Sequence, residues 1–209
     1  LSYTTVELDY RKYARIGRKY TFVTRLSGGG SFGKDPRLFF LGGDQGWLNA
    51  RVSWIGPEIE RSQDIFFSRQ NYPLRGFRWN EFYGRRFFLT NFEFRFPFID
   101  YLILGWPLRF GITNIAGVFF TDIGAAWGKN RLVDSDDGQT AVLVYNDSFH
   151  GGGQGENGNF YLDDIKMSLG VGMRMNLGFA VLRLDTAWRT NLDETEPKPM
   201  FSLSLGPDF

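Results

Sequence analysis

Apolar and polar residues alternate along several long segments of this chain, and no other feature limits the fold as strongly. The last segment, 199–209, carries serine, glycine or aspartate at its even positions from 202 onward. Its odd positions include the apolar residues Phe201, Leu203, Leu205 and Phe209. The same pattern recurs in 20–27, 91–98, 165–176 and 181–189. Successive side chains of a β-strand point to opposite faces, so each segment predicts a strand with one apolar and one polar face.

Strand length separates two folds that both show alternation, the soluble β-sandwich and the membrane β-barrel. Strands of soluble sheets usually run about five or six residues. Several segments here extend over about ten or more, which suits a tilted strand that crosses a bilayer. A closed sheet leaves no backbone group unpaired in lipid. The sequence therefore predicts an all-β fold, an antiparallel up-and-down transmembrane β-barrel whose apolar face, including Phe92, Phe94, Leu169 and Leu184, contacts lipid.

Composition excludes several classes of protein. No run of about 18 apolar residues exists, so we predict no transmembrane helix, although 18% of the residues are aromatic. The net charge of +1 does not favour nucleic acid as a partner. The chain has no cysteine, and its single histidine, His150, lies in a glycine-rich stretch. We therefore predict no thiolate metal site and no cysteine nucleophile.

Two further segments could suggest a ligand site, but neither has the required pattern. The acidic residues of 134–137 lack the spacing of a calcium-binding EF-hand loop. The glycines of 151–155 are not followed by the Lys-Ser/Thr pair of a phosphate-binding loop. We predict solvated loops at both places, and we predict no catalytic residue, no metal and no cofactor, so the chain is not expected to be an enzyme.

Short and long connections alternate between the predicted strands, as they do in outer-membrane barrels. The long connections, 32–85 and 128–163, are expected to be extracellular. Because bacterial single-chain barrels have an even number of strands, the odd count predicts further N-terminal strands before residue 1, unless 141–145 supplies an eighth. The seven predicted strands are 3–16, 19–31, 86–98, 106–127, 164–176, 179–190 and 199–209.

Two motifs carry a family resemblance. The first long connection contains Arg75-Gly76-Phe77, and the fourth predicted strand contains Phe120-Thr121-Asp122-Ile123-Gly124. Together with the terminal strand that ends in Phe209, they resemble the C-terminal half of the bacterial surface antigen superfamily. That superfamily includes BamA-like and TamA-like outer-membrane barrel assembly factors and the two-partner-secretion translocators. The resemblance covers essentially all of residues 1–209.

The resemblance implies an architecture and a role for each motif. The seven strands would be strands ten to sixteen of a 16-stranded barrel. The first long connection would be the sixth extracellular loop, which folds back into the barrel so that Arg75 meets Asp122. Phe201, Leu203, Leu205 and Phe209 would form the C-terminal signal that the assembly machinery recognises. The family often has Gly-Gly-Asp just before Arg-Gly, whereas a long insertion separates Asp44 from Arg75 here.

The physical chemistry of the motifs leaves two interpretations open. Phe120, Asp122 and Gly124 share one strand face, and that face must be the lumen because a carboxylate facing lipid is costly. An arginine can bind a carboxylate through two parallel N–H donors, so Arg75 could hold the loop inside the barrel. Alternatively, Arg75 is solvated and Asp122 pairs with a lumen arginine such as Arg174. The resemblance favours the first interpretation.

Further charges on the polar strand faces predict the character of the lumen. They could form a polar conduit or a structural ladder of cross-strand ion pairs, and we favour the ladder, in which each pair contributes under about 1 kcal/mol. On this basis Leu169→Arg should be costly and Ser168→Arg should cost much less. The charges concerned are Glu93, Arg95, Arg174, Arg183 and Asp185.

The resemblance also implies a function and partners. It predicts an outer-membrane insertase or translocase, in a Gram-negative-type bacterium or a derived organelle, that assembles or transports other proteins. The expected partners are outer-membrane lipid, client outer-membrane or secreted proteins, and accessory periplasmic or lipoprotein subunits. The alternative is a barrel that serves as a membrane anchor or pore for a fused or associated domain. Periplasmic domains before residue 1 would distinguish the two.

Overall fold

The computed structural model describes residues 2–49, 69–105, 110–134, 141–146, 148–154, 160–178 and 180–206. Within these residues the regular structure consists of β-strands, and no helix is long and apolar enough to cross a membrane. The strands in chain order are β1 (Tyr3–Ile16), β2 (Tyr20–Gly33), β3 (Phe39–Leu41), β4 (Arg69–Tyr72), β5 (Phe82–Gly84), β6 (Arg86–Leu104), β7 (Phe110–Trp127), β8 (Lys129–Asp134), β9 (Ala141–Asn146), β10 (Gly152–Gln154), β11 (Phe160–Leu162), β12 (Lys166–Asn176), β13 (Val181–Thr190) and β14 (Met200–Gly206).

One antiparallel sheet of seven strands forms the framework, in the order β1-β2-β6-β7-β12-β13-β14. Each strand lies beside its predecessor within the sheet. This is the up-and-down order that the alternation of short and long connections predicted. In the described residues the sheet is open, with β1 and β14 at its two edges. β9 does form, but it pairs only with β8, so residues 141–146 do not add an eighth strand to this sheet.

β6 extends beyond residue 98, where the predicted strand ended. The prediction stopped there because the alternating pattern is interrupted at this point. Its register with β7 shifts between Pro97 and Ile99. Proline has no N–H to give to a sheet and occurs at such irregularities. The strand resumes after the shift and continues to Leu104, which pairs with Phe110.

The two long connections contain further strands, of which the sequence analysis named 141–145 alone, as an alternative eighth strand of the barrel. In the first, β3 pairs in parallel with β4 and antiparallel with β5. In the second, β8 pairs with β9 and β10 pairs with β11, both antiparallel. The first connection packs against the framework through an apolar cluster of Phe39, Leu41, Tyr72, Leu74, Phe77, Phe87 and Leu89. It therefore covers one face of the sheet.

The faces of the framework are reversed relative to a soluble sheet. The covered face carries charged and polar side chains, and Glu93, Asp122 and Asp185 on three different strands are at most 1% exposed. The other face is apolar, and Phe119 and Phe201 are 54% and 55% exposed. Aromatic rings stack along this outer face, for example Phe96 on Phe119 at 5.2 Å. Exposed aromatic residues over buried charges are typical of a sheet that contacts lipid rather than water.

Candidate functional site

The tip of the first long connection, residues 74–77, lies against the covered face of the sheet. Backbone bonds close its base: Gly42 N–H donates to the Tyr72 carbonyl at 3.1 Å, and Gly43 N–H donates to the Phe77 carbonyl at 3.1 Å. Gly76 has φ +85°, and a Cβ there would lie 3.1 Å from Ala187 Cβ and 3.2 Å from Ser168 Cβ. The tip thus requires glycine for both its conformation and its close approach to β12 and β13.

Arg75 binds Asp122 of β7 in a bidentate ion pair. Its Nε and Nη2 donate to the two carboxylate oxygens at 2.7 Å each, and its backbone N–H donates to Oδ2 at 3.1 Å. Arg75 is 4% exposed and Asp122 is fully buried. Two parallel N–H donors match the planar carboxylate and fix the orientation of the guanidinium. Of the two interpretations that the sequence left open, the structure has the one in which Arg75 meets Asp122.

A second carboxylate joins the pair through the remaining nitrogen of Arg75. Arg75 Nη1 donates to Glu93 Oε1 of β6 at 2.5 Å and lies 3.7 Å from Asp185 Oδ2 of β13. Arg174 of β12 links the same two acids, at 3.2 Å to Glu93 and 2.6 Å to Asp185. Arg95 donates to Glu93 at 2.7 Å. Three guanidinium groups therefore face three carboxylates across four neighbouring strands.

This balance of charge explains how so many ions remain buried. Isolated buried charges are costly, whereas paired and fully hydrogen-bonded ones can be accommodated. Burial alone would lower the pKa of Arg75, but the charges of Asp122 and Glu93 and the bonds to Asp122 raise that pKa well above its ordinary value. The guanidinium therefore stays protonated at every pH at which a protein folds. Removing Arg75 would leave the buried Asp122 carboxylate without the guanidinium that pairs with it.

The aromatic residue of the strand motif also contacts Arg75. The guanidinium carbon lies 3.7 Å from the centre of the Phe120 ring, within the range of a cation–π interaction. Gly170 on β12 makes room for that ring, because a Cβ at this position would collide with it. The third motif residue, Gly124, lies elsewhere: the atoms nearest to a Cβ there are Leu89 Cδ1 at 3.1 Å, the Phe88 carbonyl oxygen at 3.2 Å and Leu41 Cδ2 at 3.4 Å. None of these three atoms belongs to Arg75.

This chain matches a known protein family over its whole length. The Omp85 superfamily domain matches residues 1–209, the whole of the chain. The chain belongs to the Omp85 superfamily. This confirms the resemblance to the bacterial surface antigen superfamily that the loop and strand motifs carried. No curated protein and no solved structure matches the chain.

A second arginine, which the sequence analysis did not single out, also holds the loop of this Omp85 domain. Arg189 of β13 donates to the Gly76 carbonyl at 2.6 Å and binds Glu81 through two bonds of 3.0 and 2.9 Å. Its guanidinium carbon also lies 4.7 Å from the centre of the Phe77 ring. The alternation placed Arg189 on the polar face, but sequence spacing gives no signal for a partner so distant in the chain.

Arg183 departs from the cross-strand ladder predicted for the Omp85 lumen. It donates to Ser204 Oγ at 3.1 Å and to the carbonyl oxygen of Gln45 in the long connection. Ser204 Oγ in turn donates to Asp44 at 2.8 Å. Arg183 is therefore a contact to the loop and to the last strand. The other four predicted charges, Glu93, Arg95, Arg174 and Asp185, lie together around Arg75.

The remaining predicted residues of the Omp85 domain are separate from this cluster. Phe201 is 55% exposed on the apolar face of β14, and Leu203 and Leu205 are partly exposed beside it. Phe209 lies outside the described residues, as does most of the acidic run 134–137. Among the residues that the structure describes, no group of His, Cys, Asp or Glu could hold a metal ion.

Proposed function

We propose that this Omp85 domain is part of an outer-membrane β-barrel that inserts or translocates other polypeptides. The observation that carries the proposal is the buried bidentate pair between Arg75 and Asp122, which fixes the tip of a long connection against the polar face of a membrane-type sheet. The apolar outer face supports residence in lipid, and family membership supports a role in assembling or transporting proteins.

In this proposal the seven-stranded sheet is the C-terminal part of a closed barrel of sixteen strands, and its strands are the tenth to the sixteenth. The polar face lines the lumen, where its charges are hydrated or paired. Further strands pair with the 14-residue edge strand β1 to complete the barrel. The connections 32–85 and 128–163 are extracellular, and the tight turn after β1 is periplasmic, because outer-membrane barrels have short periplasmic turns and long outer loops.

The anchored loop serves the proposed activity by stabilising one arrangement of the strands. Arg75 touches β6 and β7 and approaches β13, so it ties the middle of the sheet to strands near its C-terminal edge. A loop held in this way stabilises the arrangement of the strands in the barrel interior while an edge of the barrel pairs with a client strand. Edge strands present unpaired backbone groups, and an extended polypeptide can add to them as a further strand.

The test is client folding by the full-length protein in phospholipid vesicles, with an unfolded outer-membrane barrel protein as the client. The wild type should accelerate acquisition of protease resistance by the client. Arg75→Ala should lower that rate at least about tenfold, because removing one member of a buried pair leaves the other charge uncompensated. Arg78→Ala is the matched control, since Arg78 is an exposed arginine of the same loop.

Each outcome of this test decides something. Unchanged client folding in Arg75→Ala would contradict a role for the anchored loop. A wild type that does not accelerate folding at all would contradict the insertase function, and would favour the alternative in which the barrel anchors or forms a pore for another domain.

A further inference from the structure

One arginine of the framework, Arg86, lies on the apolar outer face of the sheet. It is the first residue of β6, and the odd-numbered residues after it, Phe87 and Leu89, are buried beneath the first long connection. Because successive side chains of a strand alternate between its faces, Arg86 points to the opposite, outer face. In the sheet it lies between Gly30 of β2 and Trp127 of β7. A charged side chain therefore stands on the face that contacts lipid.

Gly30 leaves room for an aromatic ring beside Arg86. A Cβ at Gly30 would lie 3.1 Å from Phe32 Cζ and 3.5 Å from Arg86 Cγ. The guanidinium carbon of Arg86 lies 5.5 Å from the centre of the Phe32 ring, within the range of a cation–π interaction. Phe32 is 49% exposed, and Arg86 is partly exposed. The ring thus orients the arginine, and both remain accessible from the outer face.

Three further aromatic rings lie on the β7 side of Arg86. The ring of Trp127 lies 5.0 Å from that of Phe149 and 6.2 Å from that of Phe88. Phe149 belongs to the second long connection and is 40% exposed. This connection therefore adds a ring to the outer face at the same end of the strands. Aromatic residues of membrane barrels concentrate at the two levels where the lipid headgroups begin.

The position of Arg86 along β6 indicates how deep in the membrane it lies. Further along the strand, Phe92, Phe94 and Phe96 alternate with polar residues and belong to the same outer face as Arg86. An arginine that faces lipid is costly at the bilayer midplane but is tolerated near the interface. Arg86, at the end of this apolar run, is therefore expected at the height of the headgroups. In the proposed orientation these are the headgroups of the outer leaflet.

Positive charge predominates around this end of β2 and β6. Residues 28–37 and 84–90 contain four basic residues and one acidic residue. Backbone groups join the two segments, because Arg37 N–H donates to Ser31 Oγ at 2.8 Å and Ser31 N–H donates to the Arg85 carbonyl at 2.9 Å. An excess of basic residues at a membrane surface attracts anionic lipid. The basic residues are Lys34, Arg37, Arg85 and Arg86.

We propose that Arg86 binds the phosphate of an anionic lipid in the outer leaflet, with Phe32 and Trp127 contacting the lipid on either side. A planar guanidinium can bond two phosphate oxygens in parallel. A lipid suits the site better than a soluble anion, because the rings beside the arginine are exposed on the apolar face. The site lies on β2, β6 and β7, none of which is an edge strand, so closure of the barrel leaves it open to the bilayer. This inference rests on the proposed function for the placement of the domain in an outer membrane.

The test measures which lipid collects at the site, with full-length protein in phosphatidylcholine vesicles. A fluorophore is attached to Thr4→Cys, which lies beside Phe32 on the outer face, and the 209 residues contain no cysteine of their own. The probes are phosphatidylglycerol and phosphatidylcholine that carry the same nitroxide-labelled acyl chain and quench the fluorophore. Half-quenching should require about fivefold less phosphatidylglycerol than phosphatidylcholine, the contribution of one basic residue near an anionic surface. A fluorophore on Thr195→Cys, exposed in the acidic connection after β13, should show no such preference.

Variants of Arg86 assign the preference to this side chain. Arg86→Gln should abolish it at Thr4→Cys. Arg86→Lys, which keeps the charge for folding and insertion, should retain only part of it, because an ammonium lacks the planar fork. Lys12→Gln is the matched control, since Lys12 is an exposed basic residue of β1 that pairs with Thr24 on the same outer face. It should leave the preference unchanged.

A wild type without a preference, or an Arg86→Gln variant that keeps the full preference, would overturn the site. Loss of the preference in inorganic phosphate, but not in sodium chloride of equal ionic strength, would assign the arginine to a soluble anion and contradict a lipid site. Client folding is measured on the same vesicles, which separates the two proposals. A lipid preference that depends on Arg86 in a protein that folds no client would support the site and contradict the insertase function. Client folding without the preference would contradict the lipid site alone.

Discussion

At the scale of single residues, the arrangement depends on one arginine that no strand carries. Arg75 makes polar contacts to Asp122, Glu93 and Asp185, and each acid comes from a different strand. A lysine at this position would keep the charge but lose the bidentate geometry. Gly76 beside it brings the tip close enough for these contacts, because a side chain there would meet β12 and β13.

We expect Gly76→Ala to destabilise the anchored tip by about 1–3 kcal/mol, since alanine disfavours φ +85° and its Cβ would press on Ser168 and Ala187. Limited proteolysis of the long connection in folded protein measures this as faster cleavage. Gly178→Ala is the control, because Gly178 has φ +90° but open space around it. Equal effects of the two substitutions would show that backbone strain alone, and not packing of the tip, is responsible.

At the scale of elements, alternation sufficed to predict the framework but not the connections. The seven strands of the sheet carry the period-two pattern, and the family motifs indicated that Arg75 would meet Asp122. Strands β3, β4 and β5 have three or four residues each, too few for a recognisable period. The contacts of Arg189 with Gly76 and of Leu203 with Asn49 join residues more than 100 positions apart, and neither contact is part of a motif.

The structure also revises one expectation about β12. Leu169 is 43% exposed on the apolar face, so Leu169→Arg should cost roughly 2–4 kcal/mol if it lies near the bilayer midplane. Ser168, expected to tolerate arginine, is fully buried beneath Gly76, and an arginine there would displace the loop tip. Urea unfolding in vesicles should therefore show a cost for both variants, but only Ser168→Arg should accelerate proteolysis of the long connection. Faster proteolysis in Leu169→Arg would contradict this assignment of faces.

At the scale of the whole molecule, the order of the sheet separates the connections into two groups. The turns after β1 and β12 are short and lie at one end of the strands, and the long connections after β2 and β7 lie at the other. The long connection after β2 returns over the polar face and reaches as far as β14. The proposed barrel therefore has an occupied interior.

This arrangement predicts the orientation of the domain in the membrane. His150→Cys in the second long connection should react with a membrane-impermeant maleimide on intact cells, whereas Arg18→Cys in the first short turn should react only after the outer membrane is opened. Both positions are exposed in the structure, so accessibility in the folded protein does not limit either reaction. Labelling of Arg18→Cys but not of His150→Cys on intact cells would reverse the proposed orientation.

The central claim is that Arg75 and Asp122 form one buried interaction that holds the loop against the sheet. A double-mutant cycle measured by urea unfolding in lipid vesicles tests it most directly. Arg75→Ala and Asp122→Ala should each lower the free energy of unfolding by about 3–5 kcal/mol, because each removes one side of the buried bidentate pair. The double variant should be little worse than either single variant. Additive losses would contradict the claim, because they would mean that the two residues stabilise the fold independently.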